Sequence, residues 1–229
     1  MKSQTLATPM PKKVLISGMY RSGTSILWRV LANDRQFKYV FYEPLHPRLK
    51  REMKNNAAMR TYSACPAVKQ HWQPTFHLKH IRLKPDEEFP ALHNYLKELM
   101  LPGSLIKSTR MTMRLAWLHK NFPDLFIINI IRDPRAVCYS YLKAAHLLFW
   151  LNSSVPWKKR LYASLKYQSG RFLKPHRSYG YWFEDYLKAL LNDEKYCNNI
   201  KKIINKSAPV KILKLWQLNA EQSGNDLSS

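Results

Sequence analysis

The chain has 229 residues and a mass of 27.1 kDa, which suits one domain, or one domain with a small appendage. Hydrophobic residues make up 45% of it and aromatic residues 13%, which argues against disorder over the whole chain. Lysine and arginine number 38 against 15 acidic residues. The resulting net charge of +23 attracts polyanions, anionic membranes or anionic small molecules without selecting among them.

The sequence predicts neither a membrane span nor a disulfide framework. The longest apolar stretches, Leu125–Ile131 and Leu147–Leu151, fall short of the roughly 18 residues that a span needs. The first residues lack the apolar core of a signal peptide. The three cysteines, Cys65, Cys138 and Cys197, are odd in number and far apart. That usage fits a reducing compartment and predicts a cytoplasmic location.

The first third of the chain predicts a strand, a helix and a second strand. Residues 1–11 are polar with two prolines and are expected to form a loose leader. The apolar run Val14–Ser17 predicts a buried strand, and Ile26–Asn33 predicts a helix capped by the threonine or serine just before it. Tyr39–Tyr42 has the composition of a strand. Residues 45–95 show no clear period and receive no assignment.

The remaining elements continue this alternation. Ser104–Lys107 predicts a strand, Met113–Asn121 a helix, and the continuous apolar run Leu125–Ile131 a strand buried on both faces. Asp133 then caps a helix that runs to about Phe149. The last two predicted elements are a helix at Tyr181–Lys195 and a strand at Val210–Leu215, before a polar tail. Strands that alternate with helices predict an α/β fold with a mostly parallel sheet.

Residues 18–25 have the spacing of a nucleotide phosphate loop. Gly18 and Gly23 frame four residues, and Thr24 stands where such loops carry lysine. Backbone N–H groups at the start of a helix still form an anion site, and Arg21 can replace the missing positive charge. The loop lacks the equipment for a γ-phosphate with Mg²⁺, so it favours a mixed anhydride over ATP hydrolysis. The alternative is an ordinary strand-to-helix turn.

A second motif, Arg-Asp-Pro-Arg-Ala-Val-Cys-Tyr-Ser, begins at Arg132 and ends at Ser140. It directly follows the most strand-like segment, so the side chains of Arg132 and Ser140 are expected in the crevice at the carboxyl edge of the sheet. A guanidinium and a hydroxyl suit a phosphomonoester. The alternative is a plain helix start with surface arginines.

Four motifs in this order resemble sulfotransferases that use 3′-phosphoadenosine 5′-phosphosulfate (PAPS). Within that family, the sequences of these motifs most resemble those of the carbohydrate sulfotransferases. The motifs are Arg21-Ser22-Gly23-Thr24-Ser25, Glu43-Pro44, Lys107-x-x-Arg110 and Arg132 with Ser140. The resemblance implies that Arg132 and Ser140 bind the 3′-phosphate. It implies a 5′-phosphosulfate site made of Gly18, Arg21, Ser22, Gly23, Thr24 and Ser25.

The resemblance implies a P-loop-like α/β sandwich with a central, mostly parallel sheet flanked by helices. The sulfotransferase domain is expected to span residues 12–216, followed by a polar tail at 217–229. The implied reaction moves a sulfuryl group from PAPS to a hydroxyl acceptor, expected to be a carbohydrate, and needs no metal. The alternative is a shortened member of low or no activity that binds nucleotide or polyanion. A P-loop kinase is disfavoured because position 24 is not lysine.

Four residues are predicted to carry the chemistry. Arg21 and Lys107 supply positive charge to the leaving and equatorial oxygens, where charge builds up. Glu43 is the first choice for the base that takes the acceptor proton, because it follows a strand beside the loop. His46 is the competing base. Arg110 is a further candidate cation.

Two other groups of residues give weaker functional predictions. Cys65, His71, His77 and His80 match no zinc spacing, so no metal site is predicted. Aromatic residues lie among basic ones at positions 150–162, which could face an anionic polymer or membrane surface. No nucleic-acid motif is present, and no specific nucleic acid is expected as a partner.

Overall fold

The computed structural model describes residues 12–46, 49, 68, 70–77, 79–140 and 186–228. Four strands form one sheet: β1 (Lys13–Gly18), β2 (Tyr39–Tyr42), β3 (Ser104–Lys107) and β4 (Leu125–Ile130). The helices are α1 (Thr24–Leu31), Pro90–Leu99, Leu115–Asn121, Cys197–Lys201 and Ala208–Ser228. Short 3₁₀ helices lie at Pro74–His77 and Thr109–Met111. Residues 134–140 and 186–190 are also helical.

The sheet is parallel, with the strand order β2-β3-β1-β4. Leu15 of β1 is in register with Ile106 of β3 on one side and Ile127 of β4 on the other. All four strands therefore end at the same edge. The chain moves outward from β1 to β2 and later to β4 on the opposite side, so this edge has a crevice where such sheets bind ligands. This confirms the predicted α/β fold.

The central strands are buried on both faces, as expected for a parallel sheet covered by helices. Leu15 and Ile106 face a large apolar core that includes Leu92, Leu96 and Trp117. The other face of the sheet carries Val14, Ile16 and Leu105, which pack with Trp28 of α1. The two covered faces hold the strand ends rigidly.

The predicted strands at Val14–Ser17, Tyr39–Tyr42, Ser104–Lys107 and Leu125–Ile131 are confirmed, with small shifts in their bounds. The α1 helix begins at Thr24. Its N-cap is Gly23, which makes no side-chain cap hydrogen bond. The expected helix at Met113–Asn121 begins at Leu115. The unassigned region contains the Pro90–Leu99 helix, whose buried face includes Leu92 and Leu96.

The strand predicted at Val210–Leu215 is wrong, because these residues lie inside the Ala208–Ser228 helix. A short segment rich in apolar residues fits a strand, but the buried Ile212, Leu215 and Leu218 follow a helical spacing. The tail predicted to be polar continues the same helix, in which Asp226 accepts a hydrogen bond from the backbone N of Leu115 at 3.0 Å.

Some predictions fall wholly or partly outside the described residues. The helix after Asp133 is seen over residues 134–140, and the one at Tyr181–Lys195 over 186–190. The loose leader at 1–11 and the basic aromatic segment at 150–162 are not described. The boundaries of the proposed domain stay a prediction, although the Ala208–Ser228 helix runs across position 216.

Candidate active site

The phosphate-like loop connects β1 to α1 through backbone conformations that favour glycine. Gly18 has a φ of +146°, and a Cβ there would lie 2.6 Å from the carbonyl oxygen of Ile130 and 2.9 Å from Ser22 Oγ. Gly23 has a φ of +102°. The backbone N of Ser22 donates to the carbonyl oxygen of Met19 at 3.0 Å, which closes a tight turn.

The start of α1 opens on this loop. The first N–H groups of a helix have no partner within the helix, and they carry partial positive charge. The first turn of α1 contains no acidic residue. Ser25 is half-buried, and Thr24 is buried beside Gly18. An anion at this end of the helix would meet the partial positive charge of these N–H groups and no acidic side chain of the first turn.

The two motifs that the sequence predicts to bind anions are in contact. Arg21 Nε donates to Ser140 Oγ at 3.1 Å, and Arg132 Nη1 donates to the carbonyl oxygen of Arg21 at 3.1 Å. Trp216 Nε1 in turn donates to the carbonyl oxygen of Arg132 at 2.8 Å. From the sequence, Arg21 and Ser140 are expected to bind different phosphates, and Trp216 has no predicted role. The contacts make the loop and the Arg132 motif one continuous polar surface.

Glu43 lies at the end of β2, beside the end of β3, and its carboxylate is 7% exposed. Its Oε1 accepts hydrogen bonds from Lys107 Nζ and from Thr109 Oγ1, the latter at 2.7 Å. Its Oε2 accepts one from Arg110 Nη1 at 2.6 Å. We call Glu43, Lys107, Thr109 and Arg110 the buried ion cluster.

The carboxylate of Glu43 stays ionised in this cluster. Burial by itself raises its pKa, but the charges of Lys107 and Arg110 and the hydrogen bonds of Lys107 and Thr109 outweigh burial and lower the pKa to about 2. A carboxylate of such low basicity, with both oxygens already accepting hydrogen bonds, is a weak proton acceptor near neutral pH. The assignment of Glu43 as the base stays a prediction.

A short chain of contacts joins the buried ion cluster to the phosphate-like loop. Lys107 Nζ lies 4.5 Å from the centre of the Tyr42 ring. The Tyr42 hydroxyl and Ser25 Oγ form a hydrogen bond of 2.8 Å. Neither Tyr42 nor Thr109 was singled out from the sequence. Tyr42 ends β2 and Thr109 closely follows β3, so the strand ends that the sequence located are the signal that could have found them.

His46, the competing base, is half-buried. Its backbone N donates to the carbonyl oxygen of Glu43 at 2.9 Å, so the two candidate bases belong to one turn. Of the predicted site residues, this edge of the sheet thus gathers the loop residues, Glu43, His46, Lys107, Arg132 and Ser140.

Several buried polar atoms at the same edge have no hydrogen-bond partner among the residues that the structure describes. They are Ser17 Oγ, Ser22 Oγ, Ser108 Oγ and both polar atoms of the Asn129 side chain. Ser17 and Asn129 are register partners on β1 and β4. Buried polar groups are normally hydrogen-bonded, so this edge suits a polar ligand.

The histidines considered for zinc are dispersed. His80 Nδ1 pairs with Glu87 Oε1 at 2.7 Å, and His71 Nε2 lies 3.5 Å from Glu98 Oε1. Cys65 lies outside the described residues. Within the described part of the chain, no group of three or more potential ligands could hold a metal ion. Over those same residues, each helix is too short or too polar to cross a bilayer.

A cavity of about 880 Å³ lies between residues 74–75 and 79–82 on one side and 188–194 on the other. Arg114 holds one wall of it, because its guanidinium donates to the carbonyl oxygens of Phe76, Lys79 and His80 at 2.9–3.0 Å. Arg114 is fully buried and follows the 3₁₀ helix that carries Thr109 and Arg110. Burial lowers the pKa of Arg114 to about 10. The cavity wall is therefore anchored to the segment that follows β3.

Comparison with known protein families matches residues 11–179 to the sulfotransferase family. The match spans more than half of the chain and includes the loop, Glu43, Lys107 and the Arg132 motif. A search of curated proteins and a search of solved structures found no match.

Proposed function

Since the chain belongs to the sulfotransferase family, we propose that it transfers a sulfuryl group from PAPS to a hydroxyl acceptor, and that the acceptor is a carbohydrate. The observation that carries the proposal is the contact between the two anion motifs. Arg21 of the phosphate-like loop touches Ser140, and Arg132 touches the backbone of Arg21. One nucleotide with phosphate groups at both its 5′ and 3′ positions could engage both motifs.

The residues of the edge fit such a donor. Gly18 lets β4 and the Ser22 side chain approach the loop closely, and Ser22 Oγ is a buried hydroxyl without a described partner. Arg21, Ser22, Gly23, Thr24 and Ser25 would hold the 5′ side. Arg132 and Ser140 would hold the 3′-phosphate. When bound, PAPS supplies an activated sulfuryl group.

Transfer forms a bond between the acceptor oxygen and sulfur and breaks the bond between sulfur and the phosphate oxygen. Negative charge grows on the departing oxygen, and nearby cations and N–H groups stabilise it. We assign this role to Arg21 of the loop, with Lys107 at the end of β3 as the second predicted cation. The acceptor proton passes to a base, for which the sequence offers Glu43 and His46.

The base can be decided by two matched variants. Glu43→Gln keeps size and polarity, and His46→Asn keeps a polar side chain without an imidazole. The variant that removes the base should lower the transfer rate by about 10²–10⁴ and leave nucleotide affinity nearly unchanged. The transfer rate therefore identifies the base, and the nucleotide affinity shows whether the substitution has also disturbed the donor site.

The carbohydrate part of the proposal has its support in the cavity that Arg114 borders. Its lining includes the hydroxyl of Thr75, the amide of Asn192 and the charged groups of Lys79, Lys188 and Glu194. Sugars present many hydroxyl groups, and such a lining can donate to them and accept from them. The buried anchor at Arg114 keeps one wall of the cavity in place.

The proposed donor is tested by calorimetry with adenosine 3′,5′-bisphosphate and AMP. The bisphosphate should bind more tightly, and Arg132→Ala should remove most of that preference, because a charge-assisted hydrogen bond contributes about 1.5–3 kcal/mol. Equal affinities in the wild-type protein would refute PAPS as the donor. Tight ATP–Mg²⁺ binding would favour a kinase. Binding of the bisphosphate without transfer to any acceptor would favour the inactive nucleotide-binding alternative.

A further inference from the structure

The buried ion cluster gives Glu43 a role other than proton transfer. We propose that Glu43 is a positioning residue, which fixes Lys107 and Arg110 at the carboxyl edge of the sheet and couples them to the donor site through Tyr42 and Ser25. The proposal rests on the proposed function, because the donor site in question is that for PAPS. It assigns the control of donor affinity to a residue that does not itself touch the donor.

The carboxylate has little capacity left for a substrate. Thr109 donates to Oε1 through its hydroxyl at 2.7 Å and through its backbone N at 3.3 Å, in addition to Lys107. Arg110 occupies Oε2 at 2.6 Å. A general base must reach the proton that it removes, and the 7% exposure of this side chain leaves little surface for an acceptor hydroxyl.

The backbone reinforces the same arrangement. Glu43 has a φ of +50°, a conformation that non-glycine residues adopt only when surrounding contacts enforce it. Its backbone N donates to the carbonyl oxygen of Lys107 at 2.7 Å, and its own carbonyl oxygen accepts from the backbone N of His46. Residue 43 is therefore tied to residue 107 through both its main chain and its side chain, as a fixed positioning element would be.

The charge of the cluster favours an anionic ligand close by. Glu43 contributes one negative charge, and Lys107 and Arg110 contribute two positive charges, with side chains 3% and 4% exposed. The three side chains together carry a net charge of +1 in a buried place. An anion at the neighbouring loop is attracted by this net positive charge. Donor binding and the geometry of the cluster should therefore depend on each other.

The route of the coupling is short. Lys107 is held by Glu43 and lies over the ring of Tyr42, and the Tyr42 hydroxyl is bonded to Ser25 in the first turn of α1. Removing the charge of Glu43 frees Lys107 and so disturbs Tyr42 and Ser25. Loss of the carboxylate should weaken donor binding, whereas loss of a base would slow transfer and leave donor binding intact.

The experiment measures the affinity for adenosine 3′,5′-bisphosphate by calorimetry in the wild type, Glu43→Gln, Tyr42→Phe and the double variant. Glu43→Gln should weaken binding at least about tenfold, in line with a charge-assisted interaction. Tyr42→Phe keeps the ring under Lys107 and removes one hydrogen bond, so about a twofold to tenfold loss is expected. In the double variant the loss should be smaller than the product of the two single losses, because the residues act through one route.

Two further variants separate positioning from shape and from misfolding. Glu43→Asp keeps the charge in a shorter side chain and should recover part of the affinity that Glu43→Gln loses. A purely steric role would instead make Gln the better replacement. Thr109→Val removes one hydroxyl donor to Glu43 without changing any charge, so it should weaken binding about twofold to tenfold even if Glu43→Gln fails to fold.

The outcomes are distinct. Unchanged bisphosphate affinity in folded Glu43→Gln, together with lost transfer, overturns the proposal and makes Glu43 the base. Losses in the double variant that multiply fully overturn the route through Tyr42. If Glu43→Gln does not fold, unchanged affinity in Thr109→Val overturns the proposal. A wild-type protein that does not bind the bisphosphate overturns the proposed function, and this proposal with it.

Discussion

The acid sensitivity of the fold tests the buried ion cluster without any ligand. The pKa of Glu43 is lowered from 4.5 to about 2 in the folded protein. Its ionised form therefore stabilises the fold at a pH above about 4.5, and that contribution is lost as the pH falls towards about 2. The difference in pKa corresponds to about 3 kcal/mol, and about 1 kcal/mol of it should be gone by pH 4.

The measurement is urea unfolding, followed by tryptophan fluorescence, at pH values from 7 down to 3. The wild-type free energy of unfolding should fall with pH more steeply than that of Glu43→Gln, because glutamine does not titrate. Equal slopes in the two proteins would refute the argument that the carboxylate is held ionised by Lys107 and Arg110.

Asp133 provides the matched control. Hydrogen bonds from the side chain of Arg135 and from the backbone of Ala136 lower its pKa to about 2 as well, but this carboxylate is open to solvent. Water and salt screen an exposed ion pair, so Asp133→Asn should change the pH dependence much less than Glu43→Gln. A larger effect for Asp133→Asn would show that burial is not what makes the Glu43 contribution large.

Three further predictions concern the loop, the last helix and metal. Gly18→Ala should abolish nucleotide binding, because the new Cβ would collide with the carbonyl oxygen of Ile130. Gly224 lies in a helix with open space around it, so Gly224→Ala should raise the stability by about 0.5–1 kcal/mol in thermal melts. Leu218→Ala should cost about 2–5 kcal/mol of unfolding free energy and Leu227→Ala little, since only Leu218 is buried. Transfer should continue in EDTA, and its loss with recovery on adding Mg²⁺ would favour a kinase.

The sequence located the parts of the site that depend on local pattern. Apolar runs identified β1 to β4, since strands buried on both faces need apolar side chains at consecutive positions. The loop needs glycine at positions 18 and 23 because the backbone has a positive φ there, and a pair of glycines at this spacing is visible in the sequence. The strand prediction failed at Val210–Leu215, because a six-residue segment rich in apolar residues fits a strand as well as a helix.

The partners of each charged residue were decided by the tertiary structure. Glu43 is 64 positions from Lys107 and 67 from Arg110, and the parallel pairing of β2 with β3 brings the three together. Arg21 meets Ser140 across 119 positions. From sequence alone, Glu43 was a carboxylate at a strand end. Its burial and its pKa depend on groups from another strand, and a charge takes its properties from what surrounds it in space rather than along the chain.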